Sequence, residues 1–408
     1  MSPTWASPVT RSLGGYQPAR GGTCPHMVLS HDMGTDSTAL LLRWITEPAT
    51  RPCPLRDLLL ITAQTGDEWP ATGELVTRYM LPLLREHAIR WVQVARRGPK
   101  QEEGVAILAD TRSPARVYLD GAYTLGDEMT AAGTIPQSGG RRTCSLKAKG
   151  WPIDTFLAAE LGDASYTHVM GFEAGEAGRP VRDARYNTEQ RTGTYPLLDW
   201  GWTGTGCEDY IEQHLGTRWL KSACVYCPFA LQSNDGRDRV MPLYQQSPAL
   251  AARGLIMEHL AVSLNPRQGL AGGKRLSELL AREPGQEATL AEFRRQLDGM
   301  DWNLYEMRRA MRAPPKGSRC LQILDSGGQA DMTAALHRRA ATEGLLVVRE
   351  GGIERAWRRR RGIGFPDAEW LYVAAPAGAE DKTGRGFAAA WAAAEAGPPQ
   401  QALWEGPA

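Results

Sequence analysis

Residues with the means to do chemistry gather first between Met27 and Leu42. There Ser30, Gly34, Thr35, Asp36, Ser37 and Thr38 lie between an apolar run and a second apolar segment of helical spacing. A helix N-terminus leaves amides unpaired and carries partial positive charge, so a phosphate can be held there without a dedicated cation. Ser30, Gly34, Ser37 and Thr38 would line such a nest, with Gly34 allowing close backbone approach. The pattern is not a Walker loop, which needs Gly-x-x-x-x-Gly-Lys-[Ser/Thr]. The plainer alternative is a capped helix after a buried strand.

Cysteines form the second group. Cys224 and Cys227 make a C-x-x-C pair, Cys144 sits among Arg141, Arg142 and Lys147, and Cys207 opens a helix. C-x-x-C spacing lets two thiolates reach one metal or form a reversible disulfide, and nearby positive charge favours the thiolate. Cys144, Cys207, Cys224 and Cys227 together would make a four-thiolate site for iron-sulfur or zinc, which spacing does not separate. A redox-active Cys224/Cys227 pair is a third option. Cys24, Cys53 and Cys320 lack such surroundings and read as small hydrophobes.

These residues need elements to hold them. Met27 to Ser30 reads as a strand and Thr35 onward as a helix, while Leu58 to Ala63 is a second buried strand delivering Gln64 to Thr72 at its carboxyl end. In open α/β sheets ligands bind off the carboxyl ends of strands, so both segments would face one crevice.

Ser30-x-x-x-Gly34-Thr35-Asp36-Ser37 resembles the PP-loop of the ATP pyrophosphatase superfamily, in the branch of phosphoadenylyl-sulfate (PAPS) reductases, with one more residue between Ser and Gly than that motif has. Gln64-Thr65-Gly66-Asp67-Glu68-Trp69-Pro70-Ala71-Thr72 is similar to the family's Asp-Thr-Gly-x-Glu-x-Pro-x-Thr, with Gln64 in place of Asp. The run from Gly171 through Glu176 to Arg179 resembles its Gly-Ile-x-x-x-Glu-x-x-Arg, and Tyr195 to Trp200 its Tyr-Pro-Leu-x-x-Trp. Cys144 to Lys149 is similar to an Arg-x-Cys-Thr-x-x-x-Lys segment of phage-type relatives. The first four of these matches, in order over about two hundred residues, are together more specific than any one of them.

The resemblance implies an α/β fold: a doubly wound, mostly parallel sheet like that of the adenine nucleotide alpha hydrolases. It also implies adenylation, in which an acceptor oxygen attacks the α-phosphate of ATP and pyrophosphate leaves, with Mg2+ assisting. Asp36 is then the carboxylate near the magnesium, while Thr65, Gly66, Glu68, Gly171 and Glu176 line the nucleotide. Arg179 or Arg182 would clamp phosphate, and Lys147 would lie near the reacting centre, with Lys149 beside it. The resemblance favours a 4Fe-4S cluster on the four cysteines over zinc, and sulfur transfer as the purpose of activation, with a sulfur-donor protein as partner.

Assimilatory PAPS reductases carry a C-terminal Cys that attacks the sulfonate, and the run from Gln401 to Ala408 has none. Sulfate assimilation is therefore set aside. Two alternatives stand: a sulfonucleotide reductase or sulfotransferase using an external thiol, and a nucleotide-binding component of DNA modification or phage defence without sulfur chemistry. The acceptor, nucleic acid or small metabolite, is left open.

The chain has 408 residues and a formal charge of +1, so no global field attracts nucleic acid, and no apolar run is long enough to span a bilayer. Seven Cys without a secretory signal point to a reducing, cytoplasmic setting. The expected organisation is a mobile arm over 1–26, a nucleotide and cysteine domain over 27–245, a helical extension over 246–317, a small α/β domain over 318–376 and a loose tail over 377–408. Val117 to Tyr123 is expected to be an inserted hairpin strand. Leu276 to Leu297 has helical spacing, and Arg355 to Arg361, interleaved with Trp357, is a candidate nucleic-acid contact.

Overall fold

The structure is a computed structural model that describes residues 11–12, 26–138, 143–312, 317–362 and 364–396. The chain divides into two compact units, one of Met1–Glu128 with Gln137–Leu243, the other of Met129–Pro136 with Tyr244–Ala408.

In the first unit seven strands form one sheet: β1 (Arg11–Ser12), β2 (His26–Ser30), β3 (Leu58–Gln64), β4 (Arg90–Arg96), β5 (Val105–Thr111), β6 (Tyr166–Val169) and β7 (Arg191–Thr194). Their order is β1-β5-β4-β3-β2-β6-β7, with β4, β3, β2, β6 and β7 mutually parallel, β5 antiparallel to β4, and β1 antiparallel to β5 at the edge.

Strands buried on both faces read as continuous apolar runs, and β3 is buried at every residue. Its alternation serves two cores. Leu58 and Leu60 join Leu29, Leu40, Leu41, Trp44 and Trp91 on one face, while Leu59 and Ile61 join Val28, Val92, Val94, Ile153, Phe156 and Leu157 on the other. The first helix, Thr35–Thr46, covers the former face and the helix Trp151–Leu161 the latter. Helices thus lie on both faces, as the sequence predicts for a mostly parallel α/β unit.

From β2 the chain steps outward to β3 and β4, then returns to place β6 and β7 on the other side of β2. The strand order reverses beside β2. Such a reversal opens a crevice outside the carboxyl ends of the strands.

The second unit is built on six antiparallel strands: β8 (Trp302–Met311), β9 (Gly317–Gly327), β10 (Val347–Glu350), β11 (Ile353–Arg359), β12 (Asp367–Pro376) and β13 (Lys382–Thr383). They run in the order β10-β11-β12-β8-β9-β13. The helix Pro248–Leu264 packs Leu260, Val262 and Leu264 against Tyr305, Met307 and Leu371, and the helix Gln329–Thr342 packs Met332 and Leu336 beside Trp302 and Tyr372.

Several boundaries differ from expectation. The 246–317 segment is not a separate helical extension, because Pro248–Leu264 shares its core with the sheet that already begins at Trp302. The segment after 376 is not a loose tail as far as 396: it holds β13 and the helix Phe387–Ala396, whose Phe387 and Ala390 are buried with Ala310 and Cys320. Leu276 to Leu297 is two helices, Leu276–Leu280 and Glu287–Asp298, interrupted where Pro284 meets Gly285 at φ +79°. Val117 to Tyr123 forms no strand, its Tyr118 amide being taken by the Gln93 side chain at 2.9 Å. Of the expected mobile arm only Arg11, Ser12 and His26 are described, and Cys24, Arg141, Arg142 and 397–408 lie outside the described residues.

The basic run is largely committed to its own unit. Arg355, fully buried, donates to Ser263 O at 3.0 Å and Val262 O at 2.7 Å, which are carbonyls at the end of a helix. Burial lowers its basicity to about 10. Arg358 pairs with Glu343 and covers Trp370, Arg359 pairs with Asp367, and Arg360 pairs with Glu350 and covers Trp357. Arg361 covers Phe365. Replacing Arg355 by Met strands two buried carbonyls and is expected to cost about 2–4 kcal/mol in urea unfolding. Arg360→Ala, losing an exposed pair, should stay within about 0.5 kcal/mol.

Candidate functional site

The first helix begins at Gly34, and no side chain caps it. Its leading amides are therefore left for other partners. Asp32, in the loop before it, accepts from the Gly34 amide at 3.0 Å and from the Ser37 hydroxyl at 2.7 Å. His31 meets Thr38 Oγ1 at 3.1 Å, and burial pushes its imidazole down to about 4, so it is neutral.

The loop before the helix makes its turn at one residue. Met33 adopts φ +67°, left-handed, with its side chain 2 % exposed. Trp219 Nε1 donates to Met33 O at 2.9 Å, and Gln64 Nε2 lies 3.7 Å from Met33 Sδ. The two departures from the PP-loop pattern, the longer loop and Gln64, thus touch each other.

At the end of β3, Gly66 takes φ +87°, and a Cβ there would fall 2.3 Å from Thr124 Cγ2, so only glycine fits. Asp67 accepts from the Gly126 amide at 2.9 Å and from Tyr226 OH at 2.5 Å. Glu68 is buried and fully engaged. Its Oε1 accepts from Thr72 Oγ1 at 3.2 Å and the Ala223 amide at 3.0 Å, and its Oε2 from Ser222 Oγ at 2.6 Å. Burial raises its proton affinity, opposed chiefly by the charge of Lys149. Glu68 is therefore a brace for the 222–224 segment rather than the free nucleotide contact its motif position implied.

That brace brings Ser222 onto the loop: a Cβ on Gly34 would meet Ser222 N at 2.8 Å. On the other side Gly171, at the end of β6, comes so close that a Cβ would meet Ser37 N at 3.0 Å. The two glycines let three chain segments converge on one helix start.

A cavity of about 760 Å3 opens above this point. It is lined by Ser30, Asp32, Asp36, Ser37 and Lys149, by Phe172, Arg179, Arg182, Asp183, His168 and Arg191, and by the apolar Ile61, Ile153 and Leu157. It occupies the place where the strand order reverses. Apolar wall together with charged groups is what an amphiphilic ligand such as a nucleotide needs.

Two buried oxygens at the helix start have no hydrogen-bond partner among the described residues, Thr35 Oγ1 and Asp36 Oδ1. Burial pushes the Asp36 carboxyl up to about 7, partly offset by Lys221, with the negative charges of Asp32, Glu176 and Glu173 adding to the shift. A carboxylate so placed suits a divalent cation, whose charge would restore its ionisation. Asp32 goes the other way: burial disfavours its charge, but Lys149 and the bonds from Ser37 and Gly34 hold it below its ordinary value.

Of the two lysines, Lys149 lines the cavity and Lys147 does not. Lys147 Nζ is bound to Glu128 at 2.6 Å and lies over the Trp151 ring. Although burial works against the charge of Lys149, Asp32, Glu68, Cys224 and Cys227 together raise its proton affinity. Two residues apart in the helical turn Leu146–Gly150, the lysines point to opposite sides. Arg179 bonds both oxygens of Glu176 at 2.8 Å and stacks over Phe172 at 4.2 Å, still on the cavity wall. Glu176 therefore acts through Arg179.

The four expected thiolates do not meet. Cys207 is fully buried in the apolar core with Leu40 and Leu41, and burial pushes its thiol up to about 12. Cys224 Sγ is 3.3 Å from Thr65 Oγ1, and burial raises both Cys224 and Cys227, with Cys144 close enough to add to the effect on Cys227. Among the described residues no group of three or more His, Cys, Asp or Glu could hold a metal ion. Cys224 and Cys227 form a thiol pair near Thr65 and Lys149, with Cys144 close to Cys227.

Sequence reasoning passed over Asp32, Ser222, His168 and Arg191. Only Asp32, inside the motif, carried a local signal. Trp200 and Trp202, by contrast, serve packing: Arg43 of the first helix lies 4.3 Å and 4.8 Å from their rings. Comparison with protein-family models, with curated proteins and with solved structures finds no match to this chain.

Asp36 binds its proton more tightly folded than unfolded, so between its ordinary value of 3.8 and about 7 the folded state loses stability as pH rises. Asp36→Asn is therefore expected to stabilise the magnesium-free protein by about 1–3 kcal/mol at pH 8 in chemical denaturation, with the gain vanishing near pH 4. In reduced protein at pH 7.5, Cys224 and Cys227 should react with iodoacetamide at least about tenfold more slowly than an ordinary thiol, followed by peptide mass spectrometry.

Proposed function

We propose that this chain is an ATP-dependent enzyme of the PP-loop kind, which activates an acceptor by adenylation, and that its first unit is an adenine nucleotide alpha hydrolase-like domain. The observation that carries this reading is the convergence of an uncapped helix start, Lys149 and the unpartnered Asp36 in one cavity at the reversal of strand order.

In the reaction an acceptor oxygen attacks the α-phosphorus of ATP. The bond from that phosphorus to the oxygen bridging to the β-phosphate breaks, and pyrophosphate leaves with the electron pair. Negative charge then grows on the leaving group beside the loop. The amides after Gly34 and the ammonium of Lys149 are fixed donors for that charge, needing no reorganisation as it develops. Asp32 holds Ser37 and the Gly34 amide in position and keeps Lys149 charged. Mg2+, when bound at Asp36 with Thr35 beside it, would supply further neutralisation of the phosphates. Ile61, Ile153 and Leu157 offer an apolar slot for the base.

Sulfur transfer to the activated acceptor is supported by Cys224, whose segment is braced against Gly34 by Glu68. No iron-sulfur cluster enters the reading, since Cys207 is in the core.

Incubation with Mg-ATP and candidate acceptors should release AMP-adduct and pyrophosphate in equal amounts. Lys149→Met should lower pyrophosphate release about a hundredfold or more, while Lys147→Met should stay within about threefold, since its pair with Glu128 is partly exposed. A wild-type protein that binds Mg-ATP yet forms neither product with any acceptor, or ADP and phosphate instead, would overturn the proposal.

A further inference from the structure

One chain of hydrogen bonds at the cavity wall is not used by the reading above, and its proton positions are fixed by elementary valence. Arg191, on the edge strand β7, is buried, and its Nε donates to His168 Nδ1 at 3.0 Å. A guanidinium has no acceptor, so His168 Nδ1 must be the bare nitrogen. The neutral ring then carries its proton on Nε2, which lies 2.8 Å from Ser30 Oγ. Ser30 therefore accepts from His168. Its own hydroxyl proton meets no acceptor among the described residues, and Ser30 lines the cavity at the end of β2.

From this we infer that Arg191 and His168 lock Ser30 as a hydrogen-bond donor aimed into the cavity, so that Ser30 selects an acceptor oxygen such as that of a phosphate and disfavours an N–H group. The inference rests on the nucleotide reading only for the identity of that oxygen. His168 and Arg191 are positioning residues, and Ser30 is the one that touches the ligand.

The lock is built to stay in one state. Arg191 Nη1 donates to Asn187 Oδ1 at 2.9 Å, and Nη2 to the two oxygens of Asp183 at 3.0 Å and 2.9 Å. Asp183 also accepts from Tyr195 OH at 2.9 Å. Protonating His168 would set an N–H against the Arg191 N–H. Burial, with the positive charge of Arg191 adding to it and Asp183 opposing, lowers the ring to about 4. Asp154 and Tyr166 are the other titratable groups near Arg191, and burial raises both, so they keep their protons more readily. An unlocked serine beside a free imidazole would present donor and acceptor alike; this one presents a donor.

Two measurements separate this inference from the nucleotide reading. In calorimetric titrations with Mg-ATP, Ser30→Ala and His168→Leu are each expected to weaken binding about tenfold, with the double variant no weaker than either. His168→Gln, whose amide can accept from Arg191 and donate to Ser30, should restore binding to within about threefold of wild type. Ser30→Ala removes one hydroxyl and carries the test even where His168→Leu does not fold. Full affinity in Ser30→Ala, or additive losses in the double variant, would overturn the inference. Nitrogen-15 spectra of His168 between pH 5 and 8 should show a neutral ring protonated on Nε2 throughout. A proton on Nδ1, or a charged ring, would overturn the lock even in a protein that bound no ATP; failure of wild type to bind Mg-ATP with the expected spectrum would sink the nucleotide reading alone.

Discussion

The carboxylate of Glu68 is the interaction on which the candidate site depends. Taken out of water, it retains its place only because donors from Thr72, Ser222 and the Ala223 amide surround it. Those donors come from the helix just after β3 and from a segment about 150 residues later. One buried acid thereby ties the second strand's exit to the cysteine segment and sets Ser222 against Gly34. Removing such a group takes the acceptor from four donors together, the Trp69 amide at 3.3 Å included, which is more costly than the loss of any single contact.

A comparable dependence governs the loop. Met33 is in the left-handed region, which bulky residues seldom enter, and its surroundings make up the cost through Trp219, Gln64 and burial in the core. An aspartate at position 64 would bring a carboxylate toward the thioether of Met33, whereas the amide of Gln64 brings a donor. Met33 and Gln64 thus meet at one place in the structure.

The strand, loop and helix around Gly34 were legible in the sequence because apolar periodicity and a glycine in a polar turn are local signals. The buried strands were legible as continuous apolar runs, and the two glycines Gly66 and Gly171 by their motif positions. What escaped was set by distance along the chain. Lys147 and Lys149 are two residues apart on opposite sides of one helical turn, and only the packing of that turn decides which one faces the cavity. Cys207 sits in a sequence context no different from a ligand's, and only the packing of its helix on the first one buries it. The arginines of the second unit looked like a surface stripe until strand pairing turned Arg355 inward to the carbonyls of Val262 and Ser263. His168 and Arg191, on neighbouring parallel strands, meet only because of a register that no local pattern announces.

Arg191 stands on β7, four residues long and at the open edge of its sheet. Edge strands are the first parts of a sheet to open, on timescales that amide exchange can follow. Each such opening of β7 would withdraw the Arg191 proton from His168 and let the imidazole turn, so the hydroxyl at the end of the interior strand β2 inherits the lifetime of an edge. A strand flanked on both sides thus borrows its chemistry from one flanked on a single side.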